Sequence, residues 1–153
     1  MSKQIYFAAP LFTQAERIWN QMLANAIVGQ YPEIKVFLPQ KESNQAIYNG
    51  KLDFARVQKI CLNGIDTSDV LVAILDGPDS DSGTCFECGY AFSKGKKIIG
   101  IRTDLRAGED QGLNAMLNQS CTEVIHCITS NASENQIAEL GRLIVASVNR
   151  VIS

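Results

Sequence analysis

Residues 76–96 read DGPDSDSGTCFECGYAFSKGK and place four acidic side chains, Asp76, Asp79, Asp81 and Glu87, within twelve positions. Nearby carboxyl groups repel, so one can be held protonated while the other stays ionised. That division lets a nucleophile and a general acid coexist near neutral pH, as retaining glycosyl transfer requires. Asp81 and Glu87 are the candidate pair. Thr84 followed three residues later by Glu87 is also a capping-box pattern, which would put Glu87 in the first turn of a helix. Two readings of that turn stay open. Glu87 either only caps the helix, or the helix N-terminus stabilises its carboxylate and aims it as a nucleophile.

Other reactive residue types carry weaker signals. Cys85 and Cys88 form a CxxC at a helix start, but zinc would need two more ligands, and Cys61, Cys121, His126 and Cys127 stand at no recognisable metal spacing. No metal and no cofactor is expected, and both thiols read as small core-facing residues. His126 is the only histidine and falls inside an apolar strand, so it cannot by itself support a Ser-His or Cys-His mechanism. Tyr6 in a strand reads as a packed aromatic, and Asp76 and Asp79 beside Gly77-Pro78 read as turn-formers.

These residues need a scaffold, and the hydrophobic pattern supplies one. Residues 4–8 form a short apolar run, and Ala15, Ile18, Trp19, Met22, Leu23, Ala26 and Ile27 follow at helical spacing. Residues 35–38 give a second strand stopped by Pro39, and residues 40–51 show neither period and read as a loop. Phe54, Val57, Ile60, Cys61, Gly64 and Ile65 mark a second helix. Residues 70–75 are apolar throughout, as expected of a strand covered on both faces. A third helix starts near Thr84, residues 97–101 and 123–128 give two more strands, and Ile137, Leu140, Ile144, Val148 and Val151 a closing helix.

The alternation predicts one α/β domain, flavodoxin-like (Rossmann-like), with an open five-stranded parallel sheet of order 2-1-3-4-5 and helices on both faces. Ligands of such sheets sit beyond the carboxyl ends of the strands where strand order reverses. Here that crevice lies between strands one and three, walled by residues 6–12 and 76–87. Topology alone brings Tyr6, Pro10 and Phe12 to one wall and Asp79, Asp81, Gly83 and Glu87 to the other.

Four segments give the chain a specific likeness: IYFAAPLF, SGTCFECGYA with an acid six positions before its glutamate, GKKIIGIRTD, and NAML. In that order, over residues 5–117, the chain resembles the nucleoside 2-deoxyribosyltransferases. The resemblance implies that Glu87 attacks C1′ of a 2′-deoxynucleoside, that Asp81 contacts the base and helps protonate it as it leaves, and that Tyr6 orients the Glu87 carboxylate. It implies a glycosyl ester resolved by a free nucleobase with net retention. Pro10, Phe12, Asp79, Gly83, Asn114 and Met116 are then the substrate contacts. Asn114 resembles an asparagine lent to a neighbouring subunit's site, which implies a homo-oligomer with shared sites. The chain departs from the pattern at Cys61, where many relatives carry Asp or Asn against base or sugar; a thiol is a poor substitute for that hydrogen bond.

Composition narrows the partners. Fourteen Lys+Arg against sixteen Asp+Glu leave a net charge of -2 with scattered basic residues, so neither nucleic acid nor a membrane surface is expected as partner. Five cysteines fit reduced thiols in the cytoplasm better than a disulfide framework. Two other functions share this scaffold: a 2′-deoxynucleoside 5′-monophosphate glycosidase, which passes the sugar to water, and a non-catalytic nucleotide-binding module. The first needs a phosphate cradle after strand one, where this chain has apolar Ala9-Pro10-Leu11-Phe12-Thr13. The second has no need of Glu87 beside Asp81.

Overall fold

The apolar run after Asp69 forms the central strand of the sheet, and all five of its strand residues are buried. In the computed structural model, which describes residues 2–107, 109–128 and 133–152, the chain runs as follows. It passes through β1 (Lys3–Ala8), α1 (Gln14–Gln30), β2 (Ile34–Phe37), α2 (Pro39–Glu42), a 3-10 turn (Ser43–Ala46), β3 (Ile47–Tyr48), β4 (Lys51–Leu52) and α3 (Phe54–Thr67). It continues through β5 (Val70–Ile74), α4 (Ser82–Ser93), β6 (Lys97–Arg102), α5 (Ala115–Ser120), β7 (Glu123–His126) and α6 (Glu134–Val151).

The main sheet has order β2-β1-β5-β6-β7 with every pairing parallel, the expected 2-1-3-4-5 order. Strand period 2 divides its residues between two cores. Ile5, Phe7, Val70, Val72, Ile99 and Ile101 face one way and pack on Leu23 and Ile27 of α1 and Ile144 and Val148 of α6. Tyr6, Ala8, Leu71, Ala73 and Ile98 face the other way, toward Ile65 of α3, Cys88 and Ala91 of α4 and Leu117 of α5. Helices therefore cover both faces. α1 leaves β1 on one face and α4 leaves β5 on the other, so the loops after these neighbouring strands diverge.

Two segments differ from their sequence readings. Residues 40–51 are not a plain loop: Pro39 opens a helical turn and β3 and β4 make a small hairpin around Asn49 and Gly50. Both turn residues have positive φ, 48° and 72°, the left-handed geometry that Asn-Gly hairpin turns use. Each strand is two residues long, too short to show a period. The connection between Ile101 and Glu123, whose sequence reads as a long loop, likewise carries α5. Among the described residues, no helix is long and apolar enough to cross a membrane.

The loop after β5 is pinned from β6. Arg102, 2% exposed, donates from Nη1 to the carbonyls of Leu75 (2.7 Å) and Gly77 (2.9 Å), and from Nη2 to that of Arg106 (3.1 Å). Asp76 accepts from the Thr103 amide (2.6 Å) and the Asp104 amide (3.0 Å), while Asp104 accepts from the Gly77 amide (2.9 Å). Replacing Arg102 by Met removes a donor from three carbonyls and leaves that of Leu75 only the Ser80 hydroxyl at 3.3 Å. Chemical denaturation of that variant should show a loss of about 2–4 kcal/mol, the range for orphaning buried hydrogen-bonding groups.

Candidate active site

Helix α4 begins two residues earlier than the sequence suggested. Asp81 is its N-cap, and its Oδ2 accepts from the Thr84 amide at 2.8 Å and the Thr84 hydroxyl at 3.0 Å. Thr84 is therefore the capped residue rather than the cap. Glu87 is the sixth residue of the helix, in its second turn, where the pull of the helix end on a carboxylate has faded. Neither form of the first-turn reading holds.

Glu87 instead meets Tyr6. The Tyr6 hydroxyl, from a ring with no solvent exposure, donates to Glu87 Oε1 at 2.5 Å. Burial holds the Glu87 carboxyl above its ordinary 4.5, at about 7; the Tyr6 bond pulls the other way and the charge of Asp81 adds to the rise. Of the two carboxyl groups whose protonation the sequence left open, Glu87 is one that its surroundings push up. Burial and the adjacent Glu87 carboxyl raise the Tyr6 hydroxyl, so it remains a donor. Cys61 of α3 lies against the same pair, within reach of the Tyr6 hydroxyl, its thiol raised by burial.

Glu87 opens into a cleft of about 260 Å³ walled by Phe54, Val57 and Cys61 of α3 and by Gly83 and Phe86 of α4. The wall is mostly apolar, with few polar groups besides Glu87, a composition suited to a flat ring. Two larger hollows lie elsewhere, one of 520 Å³ by the β3–β4 hairpin and one of 360 Å³ between α1 and α6; neither contains the Tyr6–Glu87 pair.

Of the sequence candidates, Tyr6, Asp81, Gly83 and Glu87 come together. Of these, only Gly83 and Glu87 line the cleft itself; Tyr6 and Asp81 meet Glu87 and Gly83 from outside that lining, and Pro10, Phe12, Asp79, Asn114 and Met116 are absent from it. The Pro10 carbonyl accepts from Asn20 (2.8 Å), Phe12 is 72% exposed, Asn114 caps α5 through the Met116 amide (3.0 Å), and Met116 is 81% exposed. Cys88 is buried as expected, whereas Cys85 is half-buried and turned toward the Ser80 carbonyl. Sequence reasoning missed Phe37, whose ring stacks on Tyr6 with centroids 5.2 Å apart; its only signal is an aromatic beside the β2 exit.

The raised Glu87 value has a consequence for stability. Between about 4.5 and 7 the folded protein holds a proton that the unfolded chain releases, so this group makes stability fall as pH rises through that window. A Glu87→Gln variant loses this dependence. The difference in unfolding free energy between variant and parent should grow in the variant's favour from pH 4.5 to pH 8, as read by urea denaturation at each pH.

Comparison with known proteins adds the following. A family model described as nucleoside 2-deoxyribosyltransferase matches residues 5–117. A nucleoside deoxyribosyltransferase of Lactobacillus johnsonii is 36% identical over 89 residues, 55% of this chain and 53% of that one, so the match spans about half that relative's length. Among solved structures, a conserved protein from Enterococcus faecalis V583 has a TM-score of 0.75 at 26% identity, over 94% of this chain and 99% of that one. A 2-deoxyribosyltransferase from Bacillus psychrosaccharolyticus has a TM-score of 0.65 at 21% identity, over 88% and 90%, and shares the fold.

Proposed function

The chain belongs to the nucleoside 2-deoxyribosyltransferase family, and we propose that it exchanges the base of 2′-deoxynucleosides through a covalent intermediate on Glu87. The observation that carries this reading is the Tyr6 hydroxyl on Glu87 Oε1 at the edge of an apolar cleft. That bond fixes one carboxyl oxygen and leaves Oε2 to attack C1′. The C1′–N bond breaks, the base departs with its electron pair and takes a proton, and the sugar is held as a glycosyl ester. An incoming base then attacks C1′ and releases the Glu87 carboxylate, so two inversions give retention. Asp81, whose Oδ2 is held by Thr84, is the group proposed to hand the departing base its proton.

A nucleoside fits better than a nucleoside monophosphate. The amides of Phe12 and Thr13, the donors a phosphate would seek after β1, already bind Glu16 Oε2 at 2.8 and 2.7 Å. These bonds hold Glu16 below its usual range, so those two amides already serve an anion. A phosphate there meets repulsion instead of a cradle.

Incubation with deoxyinosine and free adenine should yield deoxyadenosine by chromatography. Glu87→Ala should lose the reaction by several orders of magnitude while keeping its circular dichroism spectrum; near-normal turnover would sink the mechanism. Because attack needs the ionised carboxylate, kcat/KM in the parent should fall as pH drops below about 7. Asn114 and Met116, outside this chain's cleft, are proposed to complete the site of a neighbouring subunit in a homo-oligomer.

A further inference from the structure

Tyr6 occupies a slot made by its neighbours in the sheet. Parallel register sets Phe37 of β2 beside it on one side and Leu71 of β5 on the other. All three pack into the core under α3 and α4. The Phe37 and Tyr6 rings stack with their planes 18° apart. Directly above, α3 carries Gly64, and a methyl group there would stand 2.5 Å from Phe37 Cζ and 2.6 Å from Cε1. A glycine inside a helix costs about 1 kcal/mol relative to alanine. Here it is what allows the helix to close over the ring.

A phenol O–H lies in the plane of its ring, so the plane of the Tyr6 ring decides where its proton points, and a ring's χ2 is a soft torsion unless its faces are packed. We infer that Phe37 is a positioning residue for the reacting carboxyl: its ring, seated by Gly64, holds the Tyr6 ring in the plane from which the hydroxyl reaches Glu87. This rests on the reading of Glu87 as the reacting group. Phe37 carries no polar side-chain atom and does not line the Glu87 cleft, so its effect on the chemistry passes through Tyr6.

Two variants disturb the stack in opposite ways. Phe37→Leu removes the ring, and Gly64→Ala crowds it from above, so a folding failure in one leaves the other to decide. Each is made in the parent and in a Tyr6→Phe background. The Glu87 titration is followed by carboxyl-carbon NMR, assigned with Glu87→Gln, alongside exchange kinetics. Both variants should move the Glu87 midpoint upward from about 7, since the Tyr6 bond is what lowers it. Both should reduce kcat on the order of tenfold with little change in KM, as for loss of a hydrogen bond to a charged group. In the Tyr6→Phe background neither should move the midpoint further. An unmoved midpoint in the parent background, or an equal shift without the Tyr6 hydroxyl, overturns the assignment. Absence of exchange in the parent protein would overturn the transferase reading instead, while the midpoints still decide the role of Phe37.

Discussion

The hydroxyl of Tyr6 and the carboxyl of Glu87 meet at 2.5 Å although 81 residues separate them, and much of the architecture serves that meeting. A carboxyl group resists leaving water, and without a donor burial would hold its proton more tightly still. A tyrosine buried on the covered face of a strand is the donor that can reach it without bringing charge. The contact needs β1 and β5 adjacent and parallel, so that the helix after β5 crosses the side chain rising from β1. It also needs α4 to start early enough for its second turn, rather than its first, to lie over Tyr6. The Asp81 cap supplies that start.

The loop between β5 and α4 must then be held still, since any slack at Asp76 to Ser80 would be passed on to the helix. Arg102 and Asp104 do this from the end of β6, and Asp76 answers them from the end of β5. A buried arginine is costly to desolvate; the carbonyls around both Nη atoms of Arg102 offset that cost and fix the fork, while its Nε finds no hydrogen-bond partner among the described residues. This gives a physical meaning to the IRTD segment: its polar residues grip the carboxyl end of the sheet rather than the ligand. The same end of the sheet carries both the clamp and the cleft, which concentrates the rigid polar network where geometry matters most.

How much of this was legible in the sequence follows from how each feature is encoded. Residues 70–75 announce a doubly covered strand because burial on two faces leaves an unbroken apolar run, and the 3.6-residue spacing of α1, α3 and α6 announces helices. The strand order then set the loop after β5 beside β1, but the expected wall of residues 6–12 is replaced by α3, because the helix that precedes β5 covers the same face as α4. The α4 start was misread because Thr84-x-x-Glu87 and Asp81-x-x-Thr84 overlap, and a capping pattern does not say which of two frames the chain will use. The helix between Pro39 and the hairpin lacked periodicity, although Asn49-Gly50 is a recognised turn signal whose strands were too short to support it. Phe37 was invisible as a site residue because its part depends on a cross-strand neighbour and on a missing side chain at Gly64, and neither leaves a local pattern.

Cys61 shows how the pieces constrain one another. It stands against the Tyr6–Glu87 pair with its thiol raised by burial, hence neutral near pH 7. A carboxylate in its place would be another acid near Glu87, after Asp81, and would drive a group already at about 7 further from ionisation. The thiol avoids that repulsion and accepts a weaker hydrogen bond in exchange. For the exchange proposed above, the chain thus keeps its nucleophile titrating near neutral pH and gives up a strong polar contact on that wall. Under that proposal recognition there would fall to Phe54, Val57 and Phe86, since apolar surfaces can cover the faces of a planar base but do not distinguish the donors and acceptors along its edge.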